Sequence, residues 1–163
     1  MKDDVPPPVQ RQVRVALPPA RAFELFTRQM GRWWPFRGHS CFDAEACDVL
    51  FDGRVGGAVT ELARDGRRMA WGVLVEWQPP NGFAMRWHPG LDAAEATLLR
   101  VRFTAAADGG TEVAIHHSGW EARGAAAAEK RDQYDQGWPA VLAVFAGYAA
   151  QADTRAGLQE PLQ

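Results

Sequence analysis

The chain has 163 residues, 47% hydrophobic and 23% charged, a size and composition that suit one globular domain with a core of its own. Its formal charge of −2 gives no electrostatic reason to expect nucleic acid or an anionic membrane as partner. No apolar run approaches the ~20 residues a bilayer needs, the start MKDDVPPPVQ lacks a signal peptide's basic and apolar stretches, and Cys41 and Cys47 are too few for a disulfide framework, so a cytoplasmic protein is expected.

Residues 1–10 read as a flexible, proline-rich lead-in, 11–152 as the folded domain and 153–163 as a tail. Val13, Val15 and Leu17 alternate with polar or small residues, the period of a half-buried strand. Pro18 and Pro19 stop it and suit the first turn of a helix carrying Ala22, Phe23, Leu25, Phe26 and Met30, which Gly31 ends. RWWPFRGHS is aromatic without period and reads as a short helix or loop over an opening.

From Cys47 to Ser118 short runs are separated by turns. Asp52-Gly53, Asp65-Gly66, Asn81-Gly82, Pro89-Gly90 and Asp108-Gly109-Gly110 punctuate them, and glycine at such places supplies positive φ. Six strands in succession make an antiparallel meander, and the first strand brings the sheet to seven. Alternation puts Trp71, Val73, Val75 and Trp77 on one face of their strand. It groups Phe83 with Met85 and Trp87, Leu99 with Val101 and Phe103, and Val113 with Ile115 and His117. Glu61, Glu76, Arg86, His88, Arg100, Arg102, Glu112 and His116 fall on the other, solvated face.

Ala125 to Ala150 is the one long segment with helical periodicity. Tyr134, Trp138, Val141, Leu142, Phe145 and Tyr148 form a bulky apolar stripe over about 39 Å of helix. Pro139 predicts a kink or restart at Gly137 to Pro139. An α+β architecture follows, with a curved seven-stranded antiparallel sheet wrapped around the long helix.

That order, together with three sets of motifs, resembles the helix-grip fold of the START-like (SRPBCC) superfamily over residues 11–150. The motifs are GVLVEWQPPNGFAMRW (Gly72 to Trp87), Val55-Gly56-Gly57, and Gly137-Trp138 followed by Val141-Leu142 and Phe145. Within the superfamily the chain is similar to the family related to the activator of heat-shock protein 90 ATPase. The resemblance implies a space between sheet and helix able to hold lipids, hormones or polyketides. It also leaves room for chaperone partnership or, in some members, cyclase or hydrolase activity.

Seven tryptophans are more than a chain this long ordinarily carries. Trp33, Trp34 and Phe36 are expected over the entrance of a cavity, Trp71, Trp87 and Phe103 on its sheet wall, and Trp138, Leu142 and Phe145 on its helix wall. The competing reading is a filled core, the ordinary state of protein interiors. His117 faces inward and is the expected polar anchor for a small apolar or aromatic ligand.

The catalytic and metal readings are weaker. His117 and Ser118 are neighbours on a strand, point to opposite faces and form no dyad. No phosphate loop or nucleophile elbow occurs, and Val55-Gly56-Gly57 precedes a strand, so it reads as a bend. His39, Cys41 and Cys47 match no zinc spacing, and Lys130-Arg131 reads as a solvated turn. No cofactor, metal or catalytic residue is assigned. Ligand binding is therefore expected first, with a ligand-free protein-interaction module and a cavity-using enzyme as rivals, and homodimerisation as an open possibility.

Overall fold

Strand β1 (Val9–Val15) is laid down before any helix, and it ends up beside the last strand. The computed structural model describes residues 5–159. After β1 come α1 (Pro19–Thr27), α2 (Met30–Trp33), β2 (Ala46–Phe51), β3 (Ala58–Ala63), β4 (Arg68–Gln78), β5 (Gly82–Trp87), β6 (Thr97–Ala105), β7 (Thr111–Ser118) and α3 (Ala127–Gln159). The sheet order is β1-β7-β6-β5-β4-β3-β2, antiparallel at every seam. It curls into a half-barrel whose concave side receives α3, the expected helix-grip arrangement.

Two boundaries differ from expectation. β1 begins inside the supposed lead-in because Val9 is fully buried and pairs with His117. The helix continues to Gln159, into the segment read as a tail, with Ala149 and Ala152 extending the buried stripe. Residues 1–4 and 160–163 lie outside the described residues.

Gly31 does not end a helix. α1 stops at Thr27, and Gly31 sits inside the short α2, where a side-chain carbon would collide with Asp48 of β2. Nor does α3 restart at Pro139, which lies within the continuous helix. Proline at an interior position forfeits one backbone bond and strains the turn by about 3 kcal/mol. Trp138, Val141, Leu142 and Phe145 are all buried around it. At roughly 1.5–3 kcal/mol for each large apolar side chain, their packing outweighs the proline.

Strand β4 corrects the simple alternation. Opposite β3 the register skips at Trp71, between Thr60↔Ala70 and Val59↔Gly72. Opposite β5 it skips at Val75, between Leu74↔Met85 and Glu76↔Ala84. Each extra residue flips the phase. Trp71 and Leu74 therefore point inward, while Val73 and Val75 are 40% and 39% exposed. Gly72 permits the first irregularity, since a Cβ there would sit 1.7 Å from the Arg86 carbonyl oxygen. Strands β5, β6 and β7 keep their phase, and Phe83, Met85, Trp87, Leu99, Val101, Phe103, Val113, Ile115 and His117 are all buried.

Two polar residues expected on the solvated face are buried. Glu61 is fully enclosed between the sheet and the segment after α2. His88 follows β5 and its Nδ1 pairs with the Leu91 carbonyl at 3.1 Å, inside the 88–91 turn.

Candidate functional site

Trp87 ends β5 with its ring on the concave side, where the sheet stops and the half-barrel opens. Across from it stand α3 and the segment that leaves α2. Between them lies a cleft of about 540 Å³. Trp34, Trp87, Trp138 and Tyr134 supply its aromatic surface; His39, Ser40 and Cys41 line it from the segment after α2, and Glu95, Arg123 and Lys130 are its charged residues.

The tryptophans are held by both ends of each indole. Trp34 donates its ring N–H to the His39 carbonyl at 2.9 Å, and its centroid lies 5.0 Å from Trp71 and 6.1 Å from Trp138. Trp87 donates to the Tyr134 hydroxyl at 2.9 Å. Trp138 donates to Nδ1 of His117 at 3.1 Å. Tilted and edge-to-face contacts of this kind, with satisfied N–H groups, are the favourable state of clustered aromatics.

His117 is fully buried and every polar atom of its ring has a partner. Because Nδ1 accepts from Trp138, Nε2 carries the proton and donates to Thr97 Oγ1 at 2.7 Å, and that hydroxyl donates to the Trp87 carbonyl at 3.2 Å. Burial, reinforced by the charges of Arg123 and His116, pushes the imidazole down to about 3. His117 therefore acts as a neutral knot joining β5, β6, β7 and α3, and its lone pair is already engaged.

The wall after α2 is fixed by Glu61. Its carboxylate accepts the backbone N–H of Cys41 at 2.8 Å and of Phe42 at 2.7 Å. Burial first, and then that carboxylate, push the Cys41 thiol up to about 11. At neutral pH Cys41 is a thiol and a poor nucleophile.

Among the residues expected at a ligand site, Trp34, Trp87 and Trp138 line the cleft. The others are placed in the packing behind it. Trp33 donates to the Leu25 carbonyl at 2.9 Å and packs 4.9 Å from Phe145, so it belongs to the core and not to an entrance. Phe103 meets Phe23 and Phe26 at 5.2 and 5.6 Å. Trp71 and Leu142 are buried, and Phe36 is half-buried against the core. Rings thus fill the packing behind the cleft, and a second open hollow lies where α3 meets β1 and β7, with Leu142 in its lining.

Arg123, Lys130 and Tyr134 are lining residues that the sequence does not single out for the site. Arg123 precedes α3 and donates to the Glu95 and Trp87 carbonyls at 2.8 and 3.3 Å, bracing the cleft's edge. In the sequence Lys130 and Arg131 read as a solvated turn, yet Lys130 lines the cleft and Arg131 donates to the Pro7 and Pro8 carbonyls at 3.0 and 3.1 Å. Tyr134 was legible as part of the helix stripe; its spacing of four from both Lys130 and Trp138 was the available signal.

Known structures resemble this one. The anthrahydroquino-γ-pyrone synthase Txn09, solved as a complex with SUM, is 29% identical, with 77% of this chain and 84% of that one covered and a TM-score of 0.55. A protein from Mesorhizobium loti is 15% identical over 88% of this chain and 97% of its own, at a TM-score of 0.66, a likeness of fold alone. The Aha1 dimer from Colwellia psychrerythraea is 13% identical over 78% and 87%, at 0.54, again a likeness of fold. No curated protein matches the chain. The family model described as activator of Hsp90 ATPase homolog 1-like protein matches residues 16–150. The chain belongs to that family, within the START-like superfamily.

Proposed function

We propose that the chain binds a small, flat apolar or aromatic molecule in the cleft between the end of the sheet and α3. One observation carries this reading: Trp34, Trp87 and Trp138 converge on an open volume of about 540 Å³, within the range of roughly 300–1,000 Å³ that small-molecule sites occupy. Apolar pockets with a few fixed polar groups are where such ligands gain affinity, and here the indoles are already immobilised, so little ordering is needed on binding. The 29% identity to a synthase solved with a bound molecule supports the same direction. Titration with 2-methylanthracene, followed through tryptophan emission, should saturate; a linear, non-saturating response would count against the proposal.

A second reading, protein interaction, is favoured by Leu50, Val73 and Val75, which are exposed on the outer side of β2 and β4. Replacing Val73 and Val75 by threonine should leave probe binding intact and abolish any self-association or partner capture that this face supports.

A further inference from the structure

Lys130, Tyr134 and Trp138 follow one another at steps of four on α3, and all three line the cleft. They form a row along about 12 Å of helix. Exposure falls along it, from half-buried Lys130 and Tyr134 to buried Trp138. The row passes from a cation, through a hydroxyl, to an indole.

The hydroxyl in the middle has a proton to give. Tyr134 accepts from Trp87 Nε1 at 2.9 Å, and among the described residues its own O–H meets no acceptor. A phenol both donates and accepts, and here the accepting side is taken. The ring is wedged 5.0 Å from His117 and 5.4 Å from Trp120, so the hydroxyl is held in place. Charge adds a direction. The lining holds Arg123 and Lys130 against one carboxylate, Glu95. Two N–H groups of Arg123 are committed to carbonyls, which leaves Lys130 as the mobile cation.

Resting on the cleft being a small-molecule site, we infer that its ligand is a planar aromatic bearing an acidic oxygen, a carboxylate or phenolate, at one end. The oxygen accepts from Tyr134 and faces the Lys130 ammonium, while the rings lie against Trp34, Trp87 and Trp138. The oxygen sits toward the open end of the row, where its charge keeps contact with water, and the apolar body takes the dry end.

Titrating the purified protein with anthracene-2-carboxylate and with its uncharged counterpart 2-methylanthracene tests this. The carboxylate should bind about tenfold more tightly, the size of one charge-assisted hydrogen bond. Tyr134→Phe should remove most of that advantage and Lys130→Gln about threefold of it, read in each variant as the ratio of its affinities for the two probes. Retained binding of the uncharged probe shows that the variant is folded. Should Tyr134→Phe fail to fold, Lys130→Gln decides on the same comparison. Equal affinity of the wild-type protein for both probes, or equal loss of both in the variants, overturns the assignment while leaving the cleft a ligand site. Failure of both probes to saturate removes the ligand reading itself, and this inference with it.

Discussion

The indole N–H of Trp71 donates to the Glu61 carboxylate at 2.7 Å, across the seam between β4 and β3. The same carboxylate receives the backbone N–H groups of Cys41 and Phe42. One buried side chain thus ties the tryptophan cluster to the segment that walls the cleft.

Glu61→Ala would strand three donors at once, the buried Trp71 N–H and the part-buried backbone N–H groups of Cys41 and Phe42, and a buried donor left unpaired costs roughly 1–3 kcal/mol. Water can reach the two backbone donors once the segment lifts, so the loss in stability should be about 3 kcal/mol, not the full sum. Amide exchange at Cys41 and Phe42 should accelerate far more than at Leu99 or Val101. Uniform exchange across the chain would mean that Glu61 does not hold this wall.

His117 makes stability depend on pH. The unfolded chain takes up a proton near 6.5 that the folded chain refuses until about 3. Stability should therefore be level above pH 6.5 as far as this residue is concerned, and fall as pH drops through the window below it, by at most about 1.4 kcal/mol per unit. Urea denaturation at pH 7 and pH 5 should differ by about 2 kcal/mol from this source. His117→Asn, which cannot titrate, should lose less between the two. The same slope in both proteins would place the pH dependence elsewhere.

Packing at the helix is tested by a contrast. Phe145 is fully buried, 5.0 Å from Phe26 and 4.9 Å from Trp33, while its neighbour Val144 is exposed. Phe145→Ala should cost about 3–5 kcal/mol, and Val144→Ala within about 0.5 kcal/mol. Comparable losses would contradict the clasp of sheet on helix.

Much of this arrangement is legible because β5, β6 and β7 alternate without interruption, so Val113, Ile115 and His117 declare their face by position alone. β4 does not, since two extra residues reverse its phase, and no composition signal marks Val75 as one of them. Glu61 misleads for a different reason. A lone carboxylate in a strand normally faces water, and its three donors come from Cys41, Phe42 and Trp71, distant in sequence and brought together only by folding. The cleft residues divide the same way. Tryptophan abundance points to Trp34, Trp87 and Trp138, whereas Arg123 matters through two carbonyls remote in sequence, Trp87 at the end of β5 and Glu95 in the 89–95 loop.

Cys41 is exposed yet should be slow to react. With its thiol held at about 11 rather than the ordinary 9, the thiolate at pH 8 is about 100-fold scarcer. Iodoacetamide should modify it about tenfold more slowly than a small free thiol, since the more basic thiolate is also the stronger nucleophile, and Glu61→Gln should recover part of the rate. Fast modification in the wild-type protein would show that the wall stands open.

The most direct test of the cleft is to follow the seven indole N–H signals by nitrogen–proton correlation spectroscopy while 2-methylanthracene is added. Those of Trp34, Trp87 and Trp138 should shift together and saturate, while that of Trp77, packed against Phe23 and Phe51 outside the cleft lining, stays still. Seven unmoved signals, or shifts centred on Trp77, would contradict the account.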